Sequence, residues 1–124
     1  MAKILRGIRG AVTATANTRE AILDATGELL RALQEANGFV LEDVESAIFT
    51  STPDLTADFP AHGARRIGWL DVPLLGAVEV DVPGSLARCI RVLLHVYTTR
   101  PRGELKHIYL GEAAKLRPDR TSPQ

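Results

Sequence analysis

From Cys89 to Tyr97 the chain alternates with a period of two: Ile90, Val92, Leu94 and Val96 fall on one side, and Arg91, Leu93, His95 and Tyr97 on the other. That is the period of a β-strand, whose successive side chains leave opposite faces of the sheet. One face of this strand is wholly apolar and must be buried; the other still carries Leu93 and Tyr97. A strand that wants cover on both sides restricts the chain to a layered fold with something packed on each face of the sheet.

The remaining segments supply cover for one face. Ile22, Ala25, Leu29, Leu33 and Ala36 recur at helical spacing until Asn37-Gly38, a helix-ending pair. Asn17 followed by Glu20 resembles a capping box and predicts the start of this long helix, in which Gly27 costs about 1 kcal/mol relative to alanine. Pro60 opens a short helix that runs to Ile67 and ends at Gly68. Further strands are expected over Ile4–Val12, Ala47–Ser51, Val72–Val80 and Leu105–Leu110, with a turn at Pro83-Gly84 and a helical turn over Glu112–Lys115. In the first strand, alternation sets Leu5, Arg9 and Ala11 against Ile4, Arg6 and Ile8.

The expected fold is a single α/β (α+β) domain over residues 1–116. Its mixed, mainly antiparallel five-stranded sheet carries one long and one short helix on one face. Residues 117–124, with Pro118 and Pro123, form a polar mobile tail. Two helices leave the second face bare. A homo-oligomer whose sheets pack together is the simplest cover, and subunit seams are common places for ligand pockets.

Composition narrows the partners. A chain of 124 residues, 45% apolar, is one domain that hides roughly two-thirds of its unfolded surface. Fifteen basic and fifteen acidic residues cancel, so no overall field holds a nucleic acid, and any anion must be bound by a local cluster. The single cysteine, Cys89, lies in an apolar run, which excludes an internal disulfide and suits a core position in a reducing compartment. Met1 to Gly10 lacks the apolar stretch of a signal peptide or membrane anchor, so a cytoplasmic location and no membrane partner are expected.

Arg9 and Arg91 sit inside apolar strands, where an uncompensated charge is strongly unfavourable. Each needs an anion. A structural ion pair with Glu79 would answer one of them, but two arginines against one glutamate leave a positive surplus suited to a small anionic ligand. Guanidinium grips a carboxylate in two-pronged fashion. His62, His95 and His107 are scattered, with no H-E-x-x-H or cysteine cluster, so no metal and no cofactor is expected. Arg6-Gly7-Ile8-Arg9-Gly10 is too short for a phosphate loop, and Ser46, Ser51 and Ser85 have no visible base partner.

Five strings follow one another in order: Arg6-Gly7-Ile8-Arg9-Gly10-Ala11; Thr52-Pro53-Asp54-Leu55 with Phe59-Pro60-Ala61; Cys89-Ile90-Arg91-Val92; His107-Ile108-Tyr109-Leu110; and Leu116-Arg117-Pro118-Asp119. Together they resemble the AroH-type chorismate mutases along nearly the whole chain. The resemblance implies a homotrimer whose sheets form a pseudo-α/β-barrel, and a pericyclic conversion of chorismate to prephenate in phenylalanine and tyrosine biosynthesis. It further implies that Arg9 and Tyr109 hold a substrate carboxylate, that Glu79 accepts a hydrogen bond from the ring hydroxyl, and that Arg91 faces the ether oxygen. Phe59 and Arg65 would come from the neighbouring subunit, Leu75 and Gly76 would line the site, and the segment from Arg117 would close over it. Two positions depart from the family: His62 stands where a lysine is usual, and Gly76 where a cysteine is usual. Two other readings share the carboxylate grip, a RidA-like trimeric imine deaminase and a non-catalytic trimer that binds a small carboxylate.

Overall fold

The structure, a computed structural model, describes residues 2–116; Arg117 and the tail 117–124 lie outside them. The order is β1 (Ile4–Thr13), α1 (Arg19–Asn37), β2 (Val44–Ser51), α2 (Pro60–Arg66), β3 (Leu74–Val78), β4 (Cys89–Thr98) and β5 (Ile108–Leu110), with a 3-10 segment over Gly111–Leu116. The five strands form one mixed sheet in the order β3-β2-β4-β1-β5. The long central ladders, β2 with β4 and β4 with β1, are antiparallel, while the outer strands β3 and β5 add in parallel.

The alternation in β4 holds residue for residue. Ile90, Val92, Leu94 and Val96 are buried, and the register sets Ile90, Val92 and Leu94 against Val12, Gly10 and Ile8 on β1. Phe49 and Ala47 extend this apolar face across β2, and Ile22, Leu23, Leu29, Leu30 and Leu33 of α1 pack on it. Gly10 permits the close approach of α1: a Cβ there would meet the methyls of Leu33 and Leu29 at 2.9 and 3.0 Å. The helices then cross at Gly63 of α2, where a Cβ would lie 2.7 Å from Thr26 Cβ and 2.9 Å from the Leu23 carbonyl oxygen. Gly27 has a similar reason, since its Cβ would meet Ile67 at 3.2 Å. Its helix-propensity cost thus accompanies tight packing between α1 and the end of α2.

Several boundaries differ from the sequence reading. The helix begins one residue later, with Thr18 as the cap: its Oγ1 accepts from the Ala21 amide at 3.1 Å. Asn17 is drawn away instead, its Oδ1 accepting from the amides of Thr56 and Ala57. Gly38, at φ 67°, closes the helix as expected. β2 extends back to Val44 through a bulge before Ser46, and β3 is trimmed to Leu74–Val78. β5 covers only Ile108–Leu110, because Asn37 at the end of α1 captures the preceding main chain. Its Oδ1 accepts from the Lys106 amide at 2.8 Å and its Nδ2 donates to the Lys106 carbonyl at 2.9 Å.

Among the described residues, the face opposite the helices carries only a small cluster, Ala11, Cys89 and Ala113 with Leu86, Tyr109 and Leu116 around it. Beyond that cluster it is open, as is the β3 edge with Leu75, Val78 and Val80 exposed. Among the described residues no helix is long and apolar enough to cross a membrane.

Gly63→Ala should lower stability by about 1–3 kcal/mol through overpacking against Thr26, although alanine is the better helix former by about 1 kcal/mol. Gly103→Ala, where nothing lies within 4 Å of the new Cβ, should stay within about 0.5 kcal/mol of the parent. Urea midpoints at unchanged slope report both, and a Gly63→Ala midpoint equal to the parent's would mean that the helices do not touch this closely.

Candidate active site

Strand register assembles a row of side chains on the helix-free face. Tyr109 of β5 lies opposite Ala11 of β1, Ala11 opposite Arg91 of β4, Arg91 opposite Thr50 of β2, and Thr50 opposite Ala77 of β3. A parallel row runs Arg9, Leu93, Ile48, Leu75. Side chains two apart on one strand share a face, so Arg9 stands beside Ala11 and Arg91. Glu79 continues β3 on this face, its amide donating to the Ser51 carbonyl at 2.9 Å. A cavity of about 270 Å³ opens here, lined by Arg9, Ala11, Ile48, Thr50, Arg91 and Tyr109 among others.

Arg91 and Glu79 are paired. The Arg91 Nε donates to Glu79 Oε2 at 2.8 Å, and the Thr50 hydroxyl donates to the same oxygen at 2.5 Å. The structural ion pair expected from charge counting therefore exists, but it engages only one side of the guanidinium. Arg91 Nη1 is buried and has no hydrogen-bond partner among the described residues. An unmet buried donor costs about 1–3 kcal/mol, so the pair fixes the arginine while leaving it a strong appetite for an acceptor. With Arg9 on the adjacent position, the cavity keeps the positive surplus that suits an anion.

A second brace holds the start of β4. The Thr52 hydroxyl donates to Asp54 Oδ1 at 2.5 Å and accepts from the Cys89 amide at 3.0 Å, while Asp54 Oδ2 accepts from the Arg88 amide at 2.9 Å. The Thr52 hydroxyl, against some desolvation, holds the Asp54 carboxyl below the usual carboxylate range, and the Arg88 amide and charge add to the effect. Arg88 itself sits at φ 49°, an uncommon conformation for a side chain of its size. Burial pushes the neighbouring Cys89 thiol up to about 11, with Arg91 opposing and Glu79 and Asp54 adding. Cys89 therefore stays protonated at neutral pH, as a packing residue rather than a nucleophile.

The remaining residues singled out from the sequence lie elsewhere on the protomer. Gly76 is on the opposite alternation of β3, opposite Phe49, and helps line a cavity of about 460 Å³ with Phe59, Pro60 and His62. Phe59, at the start of α2, is 67% exposed and packs edge-on against His62. His62 Nδ1 lies 2.6 Å from Asp58, which also pairs with Arg19. Arg65 donates to the carbonyls of Trp69 and, at 2.7 Å, Leu70, closing the loop after α2. Arg9, Arg91, Glu79, Tyr109 and Leu75 thus share one face, and Phe59 and Arg65 stand with α2 on the other. Thr50 was not singled out; a strand threonine carries no signal until register sets it opposite Arg91. Among the described residues no group of three or more His, Cys, Asp and Glu is placed to hold a metal ion.

Comparison with known proteins identifies the family of the chain. The profile of the family described as chorismate mutase type I matches residues 5–120. Chorismate mutase AroH of Thermus thermophilus is 53% identical over 122 residues, which is 98% of this chain and 100% of that protein. Chorismate mutase AroH of Bacillus subtilis (strain 168) is 44% identical over 117 residues, 94% of this chain and 92% of its own. The solved structure of a chorismate mutase from Clostridium thermocellum superposes with a TM-score of 0.88 at 46% identity, covering 90% of this chain and 99% of that one. With the matching strings, the fold and the similarity over nearly the full chain all in agreement, the chain belongs to the type I, AroH-type chorismate mutase family.

Proposed function

We propose that this protein is an isomerase that rearranges chorismate to prephenate, at sites completed where two copies meet in a homotrimer. The observation that carries the reading is the Arg91 guanidinium, fixed by Glu79 on one side and left with a buried, unpartnered Nη1 on the other. The comparisons lend no support to an imine deaminase or to a non-catalytic carboxylate-binding trimer.

The rearrangement is concerted: one carbon–oxygen bond breaks as a carbon–carbon bond forms, with no proton transferred and no covalent intermediate. The protein has two tasks, to hold the enolpyruvyl ether in its compact reactive conformer and to stabilise negative charge developing on the ether oxygen. Arg91 takes the second task, because a donor held in place before the reaction needs no reorganisation as charge appears. Arg9 and Tyr109 grip a carboxylate, and Glu79, oriented by Arg91 and Thr50, accepts from the ring hydroxyl.

Phe59 and Arg65 lie with α2, across the sheet from Arg91, so they reach this cavity only from a neighbouring copy. The exposed apolar residues Leu75, Val78 and Val80 along β3 suit burial at such a seam. In that arrangement Leu75 and Gly76 line the site, the family's lysine is replaced by His62, and the segment from Arg117 closes over the substrate. A cytoplasmic enzyme without cofactor is the simplest host for this chemistry.

Formation of prephenate from chorismate by the purified protein tests the reading directly; chorismate bound but not consumed would leave only a binding protein. Turnover at saturation should be nearly flat across neutral pH with no appreciable solvent deuterium effect, because no general acid or base is used. A bell-shaped saturated rate with a clear isotope effect would contradict that mechanism.

Arg91→Ala should mainly lower kcat, since the ether-oxygen charge appears chiefly in the transition state, whereas Arg65→Ala should act more on KM. When the two variants are unfolded together and refolded at equal concentration, about a quarter of sites in random trimers regain both arginines. Activity should then exceed that of both parents refolded alone, most clearly at low substrate. Verified mixed trimers showing only the parental average would rule out a site shared across subunits.

A further inference from the structure

The amide of Arg9 donates to Nδ1 of His107 at 3.0 Å. In a regular parallel ladder that amide would meet a main-chain carbonyl, but β5 begins only at Ile108, opposite Gly10. The imidazole therefore stands in for the missing ladder acceptor where β5 joins β1. On one side of it Asn37 holds both main-chain groups of Lys106, and on the other Tyr109 comes into register with Ala11. The ring thus bonds the Arg9 backbone and belongs to the residue two before Tyr109, and Arg9 and Tyr109 line the same cavity.

An Nδ1 that accepts carries no proton, so His107 is neutral with its proton on Nε2. The imidazolium has two donors and no acceptor. Protonation must break this bond and set one N–H against another. Among the described residues, the charged side chains that line a cavity together with His107 are Arg100, Glu104 and Lys106.

We propose that His107 is a positioning residue whose neutral Nδ1 fixes the Arg9 backbone and the β1–β5 register, so that acid loosens the carboxylate grip without touching the chemical step. This rests on the reading of Arg9 and Tyr109 as carboxylate-binding. His107→Asn supplies an amide oxygen in nearly the same place as Nδ1, able to accept at any pH, and His107→Leu supplies no acceptor. Because only residue 107 differs among these proteins, titration of His62 and His95 is common to all and cancels in the comparison.

The test is kcat and KM for chorismate from about pH 8 to about pH 5.5, together with nitrogen-detected spectra of the His107 ring and the Arg9 amide. For the parent, kcat/KM should fall about three- to tenfold along a one-proton curve, almost wholly through KM. His107→Asn should lose that limb while keeping at least about a third of the parent's kcat/KM near neutral pH, and His107→Leu should show KM raised about tenfold throughout. An acid limb unchanged in His107→Asn, a His107→Leu protein kinetically equal to the parent, or a neutral-pH ring proton on Nδ1 would each overturn the proposal. Should chorismate not be turned over at all, the functional reading fails by itself. The Arg9 amide then decides: its signal must follow the His107 titration in the parent and stand still in His107→Asn.

Discussion

A guanidinium near the start of the central strand, held on one side and unmet on the other, is the constraint around which this chain is organised. Placing Arg91 on β4 demands a carboxylate nearby, and Glu79 provides it from the far edge of β2, beyond the end of the β3 ladder. Keeping the pair in register demands that β4 start at one defined residue, which the Thr52–Asp54 brace secures through the Cys89 and Arg88 amides. Leaving part of the arginine unsatisfied demands stability from elsewhere. That comes from the opposite face, where α1 rests almost directly on β1 at Gly10 and crosses α2 at Gly63. One face of the sheet supplies cohesion and the other is free to carry charge.

This division explains why a charged pair inside a sheet is compatible with a stable fold. A buried ion pair contributes little net stability by itself, because desolvation offsets most of the attraction. Its value here is geometric. Arg91 is on β4 and Glu79 directly follows β3, and Thr50 of β2 adds a second contact to the same carboxylate oxygen, so the guanidinium direction is set from three neighbouring segments of the sheet. Preorganised donors of this kind are worth most where charge develops during a reaction.

Much of this was legible in the sequence because strong periodicity leaves few options. The aliphatic face of β4, the helix from Ile22 to Ala36 and the charges embedded in strands each follow from local pattern. What was not legible depended on contacts between distant segments. Asn17 and Thr18 are both good caps, and only the claim of the Thr56–Ala57 loop on Asn17 leaves the role to Thr18. β5 is shorter than its apolar run because Asn37, 69 residues earlier, binds the Lys106 main chain. Thr50 and His107 gain meaning only from register and from a bond spanning 98 residues. The placements of Phe59 and Arg65 in a neighbour's site came from family resemblance; the residues alone had not implied them.

The row from Tyr109 through Ala11, Arg91 and Thr50 draws on the beginning, middle and end of the chain, with β5 paired to β1 although almost the whole sequence separates them. During synthesis, β1, α1 and β2 leave the ribosome with neither the central strand between them nor the edge strand beside them. The first two strands are parallel neighbours-in-waiting, and β4 must insert between them after both exist. No partial chain can therefore display the complete row. Tyr109 on β5 supplies its final member, so a complete row certifies that the chain has been made and folded as far as Tyr109.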